Sequence, residues 1–179
     1  MAKDCECGKK REPSRCWPDD PDYLDGKTEI ELPSERYTKV FWDADIIDLD
    51  DKNKHDKIIG TEEVFQVRFR VELRGRLWRC MTGDWLFDVG FKPIGPGHGF
   101  YLSALLPGNP DFGYPNWRGC DENALCIERL VTVPAGTITI EGDTEVYEVA
   151  AKVELRCCNG RVAVAGFEAL EEYEFFKGA

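Results

Sequence analysis

Residues 65–74 read Phe-Gln-Val-Arg-Phe-Arg-Val-Glu-Leu-Arg. In an extended chain successive side chains point to opposite sides. Phe65, Val67, Phe69, Val71 and Leu73 therefore share one face, and Gln66, Arg68, Arg70, Glu72 and Arg74 share the other. A helix would instead repeat its apolar positions every three or four residues. The spacing predicts an antiparallel strand over 63–75, dry on one face and wet on the other. Burying each of those apolar side chains is worth about 1.5–3 kcal/mol before conformational entropy is subtracted.

The same alternation spreads in both directions. Upstream, 28–32 is a short extended segment stopped by Pro33, and 39–49 (KVFWDADIIDL) is a second that ends in the charged turn 50–56. Downstream, Trp85, Phe87, Val89 and Phe91 repeat the pattern, 100–106 continues it after a Gly/Pro-rich turn, and 125–133 and 137–141 add two more strands. The C-terminal third is a long hairpin. Tyr147, Val149, Ala151, Val153, Leu155 and Cys157 form one face of its first strand, and Asn159-Gly160 suits a type I′ turn, where both central residues need φ > 0. The return strand, 161–176, alternates less cleanly. Gly166 is read as a bulge that re-phases Phe167, Ala169, Tyr173 and Phe175, with a short helix over 169–175 as the alternative. Strand after strand with Gly/Pro punctuation predicts an all-β fold: an antiparallel β-sandwich, jelly-roll or Ig-like, with a closed β-barrel as second choice.

Composition narrows the function classes. The chain has 179 residues, 42% of them hydrophobic, with 23 Lys+Arg against 34 Asp+Glu and a net charge of −11. That is the make-up of one globular domain. Residues 1–27 read as a polar, Cys-containing N-terminal tail, and 28–179 as a single β-sandwich domain. The acidic balance argues against nucleic acid as a partner, since phosphate contacts need a cationic surface. No apolar run approaches the roughly 20 residues of a membrane span. Residues 1–15 lack the apolar stretch of a secretory signal, so a cytoplasmic location is expected.

Eight cysteines, at 5, 7, 16, 80, 120, 126, 157 and 158, invite a disulfide framework, although a core of this size needs none. Cys120 and Cys126 flank one segment and would close it under oxidising conditions. Cys5, Cys7 and Cys16 offer three thiolates, one short of a structural zinc site, so the expectation is no cofactor, with zinc the single candidate. The acidic run Asp43, Asp45, Asp48, Asp50, Asp51 and Asp56 lacks the spacing of a calcium loop. Its alternation makes Asp43 and Asp45 the wet face of a strand.

Arg68, Arg70 and Arg74, with Arg76 and Arg79 close behind, have two readings. One is an anion site built from guanidinium forks. The other, favoured in so acidic a chain, is cross-strand pairing with glutamates such as Glu148, Glu154, Glu168 or Glu172. The connection 107–124 interleaves Phe112, Tyr114 and Trp117 with Asn109, Asp111 and Asn116. Aromatic faces beside amides and carboxylates suit a glycan, a subunit contact or a lid over the sandwich end. Catalytic signals are sparse. His55 and His98 are the only histidines, and no GxSxG elbow, P-loop or dinucleotide fingerprint occurs. The leading expectation is a non-enzymatic interaction or assembly module, a homo-oligomer or a partner of another protein. The alternatives are a carbohydrate-binding module using 107–124, and a small-ligand barrel or barrel enzyme with a pocket lined by Trp78, Trp85 and Phe100.

Overall fold

The structure is a computed structural model that describes residues 27–30, 38–47, 57–75, 83–106, 117–121, 124–156 and 162–178. These form ten strands and no helix: β1 (Lys27–Ile30), β2 (Thr38–Ile47), β3 (Ile58–Gly60), β4 (Phe65–Gly75), β5 (Asp84–Pro93), β6 (Phe100–Leu106), β7 (Trp117–Asp121), β8 (Ala124–Val133), β9 (Thr144–Arg156) and β10 (Val162–Phe176). They assemble into a six-stranded sheet, ordered β1-β10-β9-β5-β6 with β3 also on β10, and a four-stranded sheet ordered β2-β4-β8-β7. All pairings are antiparallel except the short β3, which runs parallel to the end of β10. The fold is the expected all-β sandwich.

The alternating faces meet between the sheets. Phe65, Val67, Phe69, Val71 and Leu73 of β4 are buried against Trp85, Phe87, Val89 and Phe91 of β5 and Val149, Ala151, Val153 and Leu155 of β9 within one continuous core. Aromatic rings bridge the layers edge to face: Phe69 to Phe87 at 5.4 Å and Phe65 to Phe91 at 6.1 Å between centroids. Such pairs add to the burial of area because the positive ring edge faces a negative ring face.

Three sequence expectations change. The segment 137–141 is not a strand; Ile138 and Ile140 are buried from a turn that contributes no ladder. The connection 107–124 is interrupted by β7, whose pairing with β8 makes 117–121 part of the four-stranded sheet. The third change concerns β10. It is strand throughout, removing the helix alternative, and its register shifts fall between Val162 and Val164 and between Ala169 and Glu172 rather than at Gly166. The second shift moves the core face from Val164 and Gly166 to Tyr173 and Phe175, while Phe167 and Ala169 stay exposed.

Gly166 serves a different purpose. A Cβ placed there would lie 2.5 Å from Nε1 of Trp42 and 2.8 Å from Cγ1 of Val153. The indole of Trp42, fully buried on the opposite sheet, thus rests on the bare backbone of β10. Gly166→Ala should force these groups apart and lower the unfolding free energy by about 1–3 kcal/mol, read as a reduced urea midpoint at unchanged m-value.

Candidate functional site

With the inner faces committed to the core, any site must use the outer faces, the strand edges or the ends. The two outer faces differ in kind.

On the four-stranded sheet, Arg68, Arg70, Glu72 and Arg74 of β4 point away from the core, yet they are not wet. Glu72 is fully buried, and Asp43, Asp45 and Arg74 are each less than a tenth exposed, so these aspartates are not the wet face expected for them. The strand register explains the pairing. Asp45 stands opposite Arg68 and receives its Nη2 at 3.1 Å. Glu128 of β8 stands opposite Arg70, 3.6 Å from its Nε. Glu72 accepts from Nε of Arg74, whose guanidinium also lies 4.4 Å above the ring of Phe41. The arginines therefore pair within their own sheet. Glu148, Glu154, Glu168 and Glu172, named as partners from sequence, lie on the other sheet, because the hairpin β9–β10 is not a neighbour of β4. Cys126, opposite Glu72 on this outer face, is 2% exposed and disulfide-bonded.

The outer face of the six-stranded sheet is open. Two rows of side chains cross it in register. One runs Phe167, Lys152, Asp88, Ser103; the next runs Ala169, Ala150, Gly90, Tyr101. Ser103 donates to Asp88 at 2.5 Å, and Lys92 donates to Glu148 at 3.0 Å. Tyr101 is 83% exposed because its partner is a glycine: the ring lies across Gly90, and a Cβ there would meet it at 3.0 Å. An aromatic ring laid over a glycine covers backbone that a side chain would otherwise shield. Nearby, Glu154 is buried beneath Lys152 and Arg156, at 2.5 and 2.6 Å. Burial raises its carboxyl, but the hydrogen bonds and charges of Lys152 and Arg156 outweigh this and hold it below the ordinary 4.5.

At the end of the same sheet an open groove of about 550 Å³ is lined by Ile94, Pro96, Thr144 and the carboxylates Glu141, Glu145 and Glu172. Behind it, burial first and the charge of Glu145 second push the Tyr147 hydroxyl above its ordinary value. This end adds negative field to a chain already at −11.

The edges differ as well. Among the described residues the outer strands are β6 and, along β10, β1 and the three-residue β3 in one sheet, and β2 and β7 in the other. β1 is four residues long and carries Lys27 and Glu29; β7 is five long and carries Arg118 and Asp121. β2 carries Lys39, Asp43 and Asp45. Short length and charge are the ordinary guards of a free edge. β6, seven residues reading FYLSALL, has neither charge nor proline, and its register with β5 runs unbroken.

Other sequence candidates fall differently. Asn109, Asp111, Phe112, Tyr114 and Asn116, and likewise Cys5, Cys7 and Cys16, lie outside the described residues. Trp117 opens β7 in register with Ile127. Trp85 is 1% exposed beside Phe87, and Phe100 stacks on Phe91 at 4.8 Å. Trp78 is not among the described residues. His98 sits exposed in the turn after β5. Among the described residues no group of His, Cys, Asp and Glu is arranged to hold a metal ion, and no helix is long and apolar enough to cross a membrane. The β6 edge and Tyr101 escaped the sequence reading, although the run of seven uncharged residues was its visible signal.

No family model and no curated protein matches the chain. Among solved structures, the crystal structure of the "Putative ApaA Protein from Bordetella pertussis" aligns with 81% of this chain and 98% of that one, at 9% identity and a TM-score of 0.27. A score that low carries no argument.

Two outcomes are expected. Glu72→Ala removes a carboxylate partner from the buried Arg74 and should cost about 3–5 kcal/mol in urea unfolding, and adding Arg74→Met should recover most of the loss. Glu154, its carboxyl held low in the folded chain, stabilises fully above pH 4.5 and loses that contribution as pH falls through its folded value. The stability advantage of wild type over Glu154→Gln should therefore shrink as urea midpoints are followed from pH 6 down to pH 3.

Proposed function

We propose that the chain is a non-enzymatic interaction module that works by protein contact at the free edge of its six-stranded sheet. The observation that carries this reading is β6: seven consecutive residues without a charge on an edge with which no described strand pairs. An open edge presents backbone N–H and C=O groups that a further strand satisfies directly, and side-chain alternation supplies the selectivity. The surroundings support the same use. Tyr101 folds back over β5, which leaves the outer side of β6 clear. Arg68, Arg70 and Arg74 are engaged with Asp45, Glu128 and Glu72. The disulfide at Cys126 favours work in an oxidising setting over the cytoplasm expected from sequence, since cytosolic reductants keep thiols reduced.

One observation favours a second reading. Tyr101 offers an exposed ring on the sheet surface, in the row next to Asp88, Ser103 and Lys152, and such a platform suits stacking on the apolar face of a sugar. The aromatic residues of 107–124, Trp117 among them, belong to the same reading.

The two separate cleanly. A photo-crosslinking p-benzoylphenylalanine at position 101 should yield protein adducts in producing cells, while the same group at Val64, exposed on the turn before β4, should yield none. Absence of adducts at 101, together with glycan-array binding that Tyr101→Ala or Trp117→Ala abolishes, would replace protein contact by carbohydrate recognition.

A further inference from the structure

We infer that the partner at the β6 edge is a second copy of this chain, paired antiparallel with it across a two-fold axis through Ser103. The inference rests on the protein-contact reading and specifies its partner. Each copy carries a net charge of −11, so most ways of bringing two together set like charges against each other. The groove end, with Glu141, Glu145 and Glu172, and the charged edge β2 are examples. Of the described edge strands, β1, β2 and β7 carry charges, while β3 and β6 carry none, and β3 is only three residues long; β6 is therefore the one long edge along which self-pairing places no charge in the ladder.

Geometry then selects the register. A two-fold axis perpendicular to the sheet makes one continuous sheet of both copies, with their outer faces on the same side. Residues of one face must then meet residues of the same face, so the axis passes through a residue and not between two. Ser103 is the middle of Phe100–Leu106, and centring there pairs every residue of the strand. The register sets Ser103 against Ser103, Leu102 against Ala104, Tyr101 against Leu105 and Phe100 against Leu106 of the second copy. Any other centre shortens the ladder. Because the remaining charge of the two copies repels over about a Debye length, added salt should strengthen the pairing.

The test is sedimentation equilibrium on the full chain. The wild-type mass should rise toward that of a dimer with concentration, and more readily at 0.5 M than at 0.05 M NaCl. Ser103→Lys and Ser103→Glu each place like charges face to face and should weaken association at least tenfold. An equimolar mixture of the two should regain it, which also shows that both are folded. As a second readout, Ser103→Cys should form an intermolecular disulfide between the two 103 positions, mapped by mass spectrometry, whereas Tyr101→Cys should not link to itself. Variants that associate like wild type, or a mixture that stays monomeric although both melt cooperatively, would overturn the register. A wild-type monomer whose crosslinker at 101 still captures another protein would overturn self-pairing and leave the protein-contact reading intact. A monomer that captures nothing would overturn both.

Discussion

The structure depends on how closely two sheets approach where Trp42 meets Gly166. The indole sits on the bare backbone of β10, nearer than any side chain at position 166 would permit. Trp42 is fully buried on β2, the outer strand of its sheet, and β2 runs beside β1 and β10. This contact therefore closes one long seam of the sandwich. With the spacing set there, the rings of Phe69 and Phe87 meet edge to face, and Phe65 reaches both Phe91 and Phe175. Interiors packed to crystal-like density transmit such a constraint, since side chains cannot yield without leaving voids.

A filled interior divides the remaining surface. The outer face of the four-stranded sheet is taken up by cross-strand ion pairs, most of whose members are nearly inaccessible to water. Removing charges from water is expensive, and the regular opposition of Asp45 to Arg68 and of Glu128 to Arg70 offsets that cost. The six-stranded sheet keeps its outer face open, with the exposed Tyr101 at one side and the exposed Phe167 toward the other. Its edge β6 is uncharged where β1, β2 and β7 are guarded. The β6 edge is thus a place that neither the core nor these ion pairs use.

Much of the architecture was legible because alternation is a local property. Phe65 to Leu73, Trp85 to Phe91 and Tyr147 to Leu155 each declare their dry face over a few residues, and each declaration was right. Where the cause is distant, local reading fails. Ile138 and Ile140 alternate like a strand, but no neighbour among the described residues offers them a ladder. Residues 117–121 look like loop because their strand character comes from pairing with β8. Gly166 resembles a bulge along the chain and is a seat for Trp42 across it. The candidate site followed the same divide. The arginine stripe was visible and its pairing role anticipated, but its partners were placed on the wrong sheet because strand order is not written in periodicity. Tyr101 passed unnoticed, since a tyrosine in an alternating run says nothing of the glycine beside it on the next strand.

The amino-acid order alone determined that this chain is all-β, which side of each long strand is dry, and that the C-terminal third folds as a hairpin. Those properties follow from the two-residue repeat of the extended backbone and from turn chemistry, both of which act over short spans. Tertiary structure decided which strands are neighbours, which charges find partners, and which edges are left without one. Those outcomes turn on contacts between residues far apart in the chain, as between Asp45 and Arg68 or Gly90 and Tyr101, and they exist only once the sheets have formed.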